Sequence, residues 1–213
     1  MRYQCTVLKN ELLAPGVHLI SFEKCFPFKA GQMVTIALSV NGPKRLYSIA
    51  SGEPEAVMSV IFDIKPEGAL TPPFALIKPG DTIFCSQPQG SFLGSEEPAF
   101  WIASGTGIAP FRSMFRTGLS SNKTLIHGGR FLYSFYFQDE LIAMKHNYIR
   151  CCTQESGAGI FEGRLTRYLR ETPLPVLGFK YYLCGSAEMV VDTRDLLISR
   201  SIPFENIISE IYF

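Results

Sequence analysis

The sequence predicts two domains, an antiparallel β-barrel over residues 1–95 followed by a parallel, doubly wound α/β domain over residues 96–213. Short alternating or apolar segments punctuated by turn residues fill the first part, and strand and helix patterns alternate in the second. The β pattern gives way to the alternating strand and helix pattern near Ser95, where we place the domain boundary. A chain of 213 residues is long enough to bury a core without disulfides or metals.

Turn signals such as Asn41-Gly42-Pro43 separate the strands of the first domain, a pattern typical of a barrel or sandwich. These strands are predicted at Cys5–Leu8, His18–Phe22, Met33–Leu38, Met58–Phe62 and Thr82–Cys85. In the second domain we predict strands at Ala99–Ala103, Thr124–Gly128, Tyr148–Thr153 and Lys180–Cys184, and helices at Phe111–Leu119, Phe137–His146, Leu165–Arg170 and Ala187–Arg200.

Composition excludes several classes of function. A net charge of +1 gives no sign of a nucleic-acid partner. No apolar stretch reaches the ~20 residues needed for membrane insertion. The six cysteines form no CxxC pair, so we expect no metal site. Because no signal-peptide pattern precedes the first strand, we expect a cytoplasmic protein with reduced thiols.

Two segments of the first domain carry residues suited to a ligand. In Arg45-Leu46-Tyr47-Ser48, an arginine fork suits a diphosphate, a tyrosine can stack on a flat ring, and a serine can donate to a ring nitrogen. Alone, four such residues more often form an exposed edge strand. In Gly68-Ala69-Leu70-Thr71, the glycine lets amides approach phosphate and the threonine can cap a helix, although an ordinary turn explains the segment as well.

The second domain offers a glycine-rich turn, Gly105-Thr106-Gly107-Ile108-Ala109-Pro110, between a predicted strand and a helix. Such a turn at a helix start suits the diphosphate of a dinucleotide. Cys184 ends a later strand, where parallel sheets bind ligands, although most buried cysteines are small core residues. The terminal Glu210-Ile211-Tyr212-Phe213 is unusually aromatic for a frayed end, so it either fills a core gap or covers a flat ligand.

Taken in order, these motifs resemble those of the ferredoxin–NADP reductase family over nearly the whole chain. Arg45–Ser48 resembles its RxYS motif, Gly68–Thr71 its GxxS/T segment, Gly105–Pro110 its pyrophosphate loop, Leu183–Gly185 its cysteine–glycine motif and Glu210–Tyr212 its E-x-Y ending. The resemblance implies a flavin-binding barrel joined to a five-stranded parallel sheet, with FAD on the first domain and NADP(H) or NAD(H) on the second.

The resemblance also assigns residues. It implies catalytic roles for Ser48 near the flavin N5, Cys184 beside the nicotinamide and Glu210 in a polar relay. For FAD it implies Arg45, Leu46, Tyr47, Ser48, Gly68, Ala69, Leu70, Thr71, Tyr212 and Phe213. For NAD(P) it implies Gly105, Thr106, Gly107, Ile108, Ala109, Pro110, Arg130, Thr153, Gln154, Arg164, Cys184 and Gly185.

Two departures leave questions open. Thr153-Gln154-Glu155 has a glutamine where the family often has an arginine for the 2′-phosphate, so use of NADPH, NADH or both stays open. Phe213 follows the tyrosine of the E-x-Y ending, so the sequence leaves open whether Tyr212 or Phe213 stacks on the flavin.

The activity implied is hydride transfer between NAD(P)H and bound FAD, with single electrons passing to or from a separate ferredoxin or flavodoxin. Lys24, Lys29, Lys44 and Arg45 are candidates for attracting an acidic carrier. The alternatives are a free flavin reductase, which usually has phenylalanine in place of Tyr47, and an NADH-dependent reductase component of an oxygenase.

Overall fold

A computed structural model describes residues 3–212 of the chain. The backbone falls into two compact units. The first contains the residues up to Gly94 together with Arg112–Thr117, and the second contains Ser95–Phe111 and the residues from Gly118 onward. The first unit ends next to the predicted boundary at Ser95, but it also contains Arg112–Thr117, which the sequence analysis had assigned to the second domain.

The first unit is an antiparallel sheet of six strands in the order β4-β3-β6-β1-β2-β5. Its elements are β1 (Tyr3–Ala14), β2 (Val17–Glu23), β3 (Met33–Ala37), β4 (Lys44–Ser48), β5 (Val57–Asp63), α1 (Thr71–Ala75) and β6 (Thr82–Cys85). An antiparallel bridge between Ile49 and Val60 joins the two edges of the sheet. This closure forms the predicted barrel around buried side chains that include Phe22, Ile36 and Phe74.

Arg112–Thr117 are tied to the barrel by polar contacts. The Arg112 guanidinium donates to the Ala50 carbonyl at 3.1 Å, and the Ser113 hydroxyl donates to the Ser51 carbonyl at 2.7 Å. Arg116 pairs with Glu55 through two nitrogens, at 2.6 and 3.1 Å. The first two bonds satisfy the main-chain carbonyls of Ala50 and Ser51, which belong to no strand ladder.

The second unit is a parallel sheet of six strands in the order β10-β9-β8-β7-β11-β12. Its strands are β7 (Ala99–Ser104), β8 (Lys123–Gly129), β9 (Tyr148–Cys152), β10 (Ile160–Glu162), β11 (Lys180–Ser186) and β12 (Ile207–Tyr212), and its helices are α3 (Gln138–Leu141), α4 (Leu165–Glu171) and α5 (Ala187–Ser199). The helix α2 (Ala109–Arg116) begins in this unit, and its residues from Arg112 onward belong to the first unit. The strand order reverses between β7 and β11, and parallel sheets bind ligands at the carboxyl ends of the strands at such a point.

Four expectations about this unit were wrong in detail. The sheet has six strands rather than five. The helix expected over Phe111–Leu119 runs from Ala109 to Arg116, because Gly118 follows with φ of +92° and ends it. The helix expected over Phe137–His146 is a short α3 and a 3₁₀ turn, interrupted by positive φ at Phe137 and Lys145. Glu210–Tyr212 are part of β12 rather than a tail.

Candidate functional site

The glycine-rich turn lies at the carboxyl end of β7. Gly105–Ile108 form a 3₁₀ turn, and α2 begins directly after it at Ala109. Gly105 has φ of +55°, a conformation that a residue with a Cβ adopts only with strain. Pro110 lies in the first turn of α2, where helix amides have no internal partner and a proline removes no bond.

The turn contacts the predicted cysteine motif through backbone atoms. A Cβ on Gly107 would overlap the carbonyl group of Cys184 and lie 2.6 Å from the Cα of Gly185. A Cβ on Gly185 would overlap the hydroxyl of Ser104, at the end of β7. The two glycines therefore let two chain segments touch at the point where the strand order reverses.

Cys184 and Glu210 lie opposite each other on the neighbouring strands β11 and β12. The Cys184 thiol is fully buried and donates to Glu210 Oε2 at 3.9 Å. Burial, and then the negative charge of Glu210, raise the pKa of the Cys184 thiol well above its usual value. Cys184 is therefore a protonated, uncharged side chain in the neutral pH range. Tyr212 lies two residues along β12, opposite Ser186, and Phe213 lies outside the described residues.

The residues predicted for the adenosine side of a dinucleotide gather at the same edge of the sheet. Thr153 N donates to Gly129 O at 3.2 Å, and Gln154 N donates to Arg130 O at 2.9 Å. Gly163 N donates to Cys152 O at 2.7 Å, which brings Arg164 beside this pair of segments. The ends of β8, β9 and β10 therefore place Arg130, Gln154 and Arg164 on one exposed rim.

Two carboxylates next to this rim were not among the predicted site residues. Glu188 Oε1 lies 2.8 Å from Arg164 Nη1, and its hydrogen bond, and then its negative charge, raise the pKa of that guanidinium. Glu155 Oε2 accepts a hydrogen bond of 2.6 Å from the amide of Leu132. Glu188 is 24 positions from Arg164 in the chain, so no local spacing points to their pairing.

In the first unit, the predicted ligand residues Arg45–Ser48 lie on β4, which is the first strand in the order β4-β3-β6-β1-β2-β5. Successive side chains of a strand point to opposite faces, so Arg45 and Tyr47 share one face and Leu46 and Ser48 share the other. Arg45 is exposed, and its Nη1 donates to its neighbour's carbonyl, Lys44 O, at 2.9 Å. Ser48 is buried and lies opposite Met33 of β3.

Tyr47 has a buried hydroxyl with no hydrogen-bond partner among residues 3–212. Its half-buried ring lies 6.0 Å from the ring of Phe62 and 5.8 Å from that of Phe74, measured between centroids. Burial raises the pKa of Tyr47 to about 12. A buried hydroxyl without a partner costs about 1–3 kcal/mol, so this position fits a bound ligand that offers a polar atom.

The second predicted segment of the barrel differs from expectation at Thr71. The helix α1 has Leu70 at its N-cap position and no side-chain capping bond. The Thr71 hydroxyl instead accepts from the amide of Lys65 at 2.9 Å and donates to the carbonyl of Lys65 at 3.3 Å. It closes a loop over residues 65–71. The Gly68 amide donates to Lys65 O at 2.8 Å, and Pro72 and Pro73 have no amide proton, so the amides of Ala69, Leu70 and Thr71 are the ones in this segment left to meet a phosphate.

Within residues 3–212, no group of three or more histidine, cysteine or acidic side chains is placed to hold a metal ion. In the same range, no helix is both long and apolar enough to cross a membrane.

A closed antiparallel barrel followed by a parallel sheet with a glycine turn at its point of reversal defines a two-domain, nucleotide-dependent oxidoreductase fold. A model of the family described as "Oxidoreductase NAD-binding domain" matches residues 101–195. The chain belongs to the ferredoxin–NADP reductase family. The ferredoxin–NADP reductase of Pseudomonas aeruginosa is 32% identical over 207 residues, which span 81% of this chain and 79% of that protein.

Two further proteins are similar to the chain, one over part of its sequence and one in fold. Ferredoxin–NADP reductase B of Sorangium cellulosum is 36% identical over 149 residues, which span 62% of this chain and 60% of that protein. The ferredoxin NADP+ reductase of Neisseria gonorrhoeae, solved with bound FAD and NADP, superposes with a TM-score of 0.87 over 100% of this chain and 99% of that one, at 23% identity. The predicted fold class, a barrel followed by an α/β domain, is confirmed.

Proposed function

We propose that this protein is a flavin-dependent reductase, with FAD on its first unit and a nicotinamide dinucleotide on its second, that exchanges electrons with a separate carrier protein. The observation that carries the proposal is the backbone contact between Gly107 and Cys184–Gly185, because it brings the glycine-rich turn and the end of β11 together at the point where the strand order reverses, which is where parallel sheets bind ligands. Bound FAD would supply the chemistry, taking an electron pair as hydride from the nicotinamide and passing electrons singly to the carrier.

The chain's own residues bind and orient the reactants. Arg45 would pair with the FAD diphosphate, and Tyr47 would offer its unpartnered hydroxyl and the exposed part of its ring. Ser48 would donate a hydrogen bond near the flavin N5. In the second unit, the amides of the Gly105–Ile108 turn would receive the dinucleotide diphosphate.

Cys184 and Glu210 would shape the nicotinamide position. The Cys184 thiol donates a hydrogen bond to Glu210 and stays protonated and neutral, so it would contact the nicotinamide ring as an apolar surface without reacting with it. Glu210 would keep a carboxylate close to the site of hydride transfer and hold or pass a proton there. Tyr212 and Phe213 are proposed to cover the flavin.

The carrier is proposed to be a small acidic protein such as a ferredoxin or flavodoxin. Lys24 Nζ bonds to the carbonyls of Glu53 and Glu55, and Lys29 forms an ion pair of 3.2 Å with Glu53. Lys44 and Arg45 are exposed on β4, and Lys44 is the better candidate for meeting an acidic surface, because Arg45 is assigned to the FAD diphosphate. A cytoplasmic, reducing location is also proposed, supported by six free cysteines.

The test is anaerobic mixing of the purified, FAD-loaded protein with NADPH or NADH, followed through bleaching of the flavin absorption band. We expect Ser48→Ala and Cys184→Ala to slow bleaching about tenfold to a hundredfold. Each variant removes a side chain that would hold the flavin ring or the nicotinamide ring in position for hydride transfer. Ser59→Ala and Cys151→Ala are matched controls, since both remove a buried side chain of the same type elsewhere in the same unit. Equal rates in all four variants would contradict the assigned roles, and a colourless protein would favour a free flavin reductase.

A second function, the NADH-dependent reductase component of an oxygenase, is favoured by one observation. Gln154 lies on the rim with Arg130 and Arg164 and is neutral. The rim therefore has one cation fewer for a 2′-phosphate than it would have with an arginine at that position. Bleaching by NADH that equals or exceeds bleaching by NADPH would direct the search for the carrier to NADH-linked oxygenases.

A further inference from the structure

The rim formed by the ends of β8, β9 and β10 carries charges of both signs. Its cations are Arg130 and Arg164, and its carboxylates are Glu155 and Glu188. Residues at this position of a parallel dinucleotide-binding sheet decide between a ribose 2′-hydroxyl and a 2′-phosphate, because an arginine accommodates the phosphate. The balance of charge on this rim therefore bears directly on the choice of nucleotide.

Arg164 already forms an ion pair with a carboxylate of the same chain. Its Nη1 lies 2.8 Å from Oε1 of Glu188, a residue in the first turn of α5. A 2′-phosphate approaching Arg164 would have to displace this carboxylate or lie next to it, and like charges repel. Asp192, one turn further along α5, adds a second negative charge that acts on Arg164.

The other side of the rim is no more favourable to an anion. Glu155 is exposed, and its bond of 2.6 Å to the Leu132 amide holds its carboxylate beside the segment that follows Arg130. The guanidinium carbon of Arg130 lies 6.0 Å from the centre of the Phe131 ring, and no carboxylate pairs with Arg130 among the ion pairs of the described residues. Among the described residues, Arg130 is thus the one cation of the rim that could bind a phosphate without displacing a carboxylate. The negative charge of Glu155 lies near it.

We propose that Glu188 sets the nucleotide preference of this protein by occupying Arg164, so that the rim accepts a nicotinamide nucleotide without a 2′-phosphate, NADH, in preference to NADPH. This inference rests on the proposed function. Glu188 acts through Arg164 and does not touch the reacting atoms, so it is a positioning residue.

The experiment measures binding of two mononucleotides to the FAD-loaded protein by isothermal titration calorimetry. The probes are 5′-AMP and 2′-phospho-AMP, which differ only in the 2′-phosphate. In the unmodified protein we expect 5′-AMP to bind at least as tightly as 2′-phospho-AMP. In Glu188→Gln, the preference should move toward 2′-phospho-AMP by roughly threefold to tenfold at low salt, because one carboxylate no longer faces a phosphate dianion.

Two further variants make the result specific. Glu188→Asp keeps the carboxylate and should restore the original preference. Glu171→Gln is the matched control, because it removes an exposed carboxylate paired at 2.7 Å with Arg167 on the same helix, about 10 Å from Arg164 along α4. It should leave the preference unchanged. The shift caused by Glu188→Gln should also shrink at high salt, whereas a purely structural disturbance would not.

The possible outcomes separate this inference from the proposed function. Binding of 2′-phospho-AMP tenfold tighter than 5′-AMP by the unmodified protein would overturn the inference and leave the proposed function standing. An equal shift in Glu188→Gln and Glu171→Gln would also overturn it. Failure of both mononucleotides to bind would overturn the inference together with the nucleotide site on which the proposed function depends.

Discussion

His127 makes the stability of the second unit depend on pH. Its ring is fully buried on β8, with Nδ1 3.1 Å from the Tyr148 hydroxyl and Nε2 without a hydrogen-bond partner among residues 3–212. Burial, and then the positive charge of Arg150, lower the pKa of His127 from 6.5 to about 3. Arg150 lies directly opposite His127 on β9.

The size of the effect follows from this shift. The folded state favours neutral His127, so the unfolded chain binds more protons between pH 6.5 and about 3. Stability is therefore fully present above pH 6.5 and is lost as the pH falls through this window. Between pH 7 and pH 4.5 the histidine alone should lower the free energy of unfolding by about 2–3 kcal/mol.

Urea unfolding at a series of pH values tests this prediction. Trp101 is the single tryptophan of the chain and is fully buried in the second unit, so its fluorescence reports the unfolding of that unit. The His127→Gln variant should lose most of the pH dependence between pH 7 and 4.5. His146→Gln, at an exposed position of the same unit, should keep it. The same pH dependence in His127→Gln as in the unmodified protein would refute the reasoning.

Two further predictions concern the site. Gly107→Ala should destabilise the second unit more than Gly105→Ala, because its Cβ meets the backbone of Cys184 while that of Gly105 meets open space and adds only the strain of a positive φ. Equal losses of melting temperature would contradict the close contact. Tyr47→Phe should leave the FAD-free protein as stable or up to about 1–3 kcal/mol more stable, and should weaken FAD binding. Tighter FAD binding in that variant would argue against a polar contact with the flavin.

Much of the fold could be predicted because it depends on local patterns. The five strands predicted in the barrel are all confirmed, since their alternating apolar residues are the ones that point into its core. The short β10 was missed because three residues between exposed turns carry no periodicity. The C-terminal strand β12 was missed because no strand within residues 3–212 pairs with its outer edge, and its one aromatic residue, Tyr212, is only half-buried.

The site was predictable where it depends on glycine and proline, and less so where it depends on distant partners. The Gly105–Pro110 turn has a recognisable pattern because its backbone conformation restricts the residues allowed there. The ion pair of Arg164 with Glu188, 24 positions away, depends on how the chain returns to itself in three dimensions. A linear pattern carries no signal for such pairings.

The contact between Gly107 and Cys184–Gly185 leaves the centre of the sheet's carboxyl edge built from main-chain atoms. Main-chain groups present the same hydrogen-bonding atoms whatever the neighbouring side chains are, so this centre has little scope to change by substitution. Under the proposed function, we expect variation in nucleotide recognition to be confined to the rim around Arg130, Gln154 and Glu188. A designer who wishes to exchange one nicotinamide nucleotide for another should alter that rim and keep both glycines.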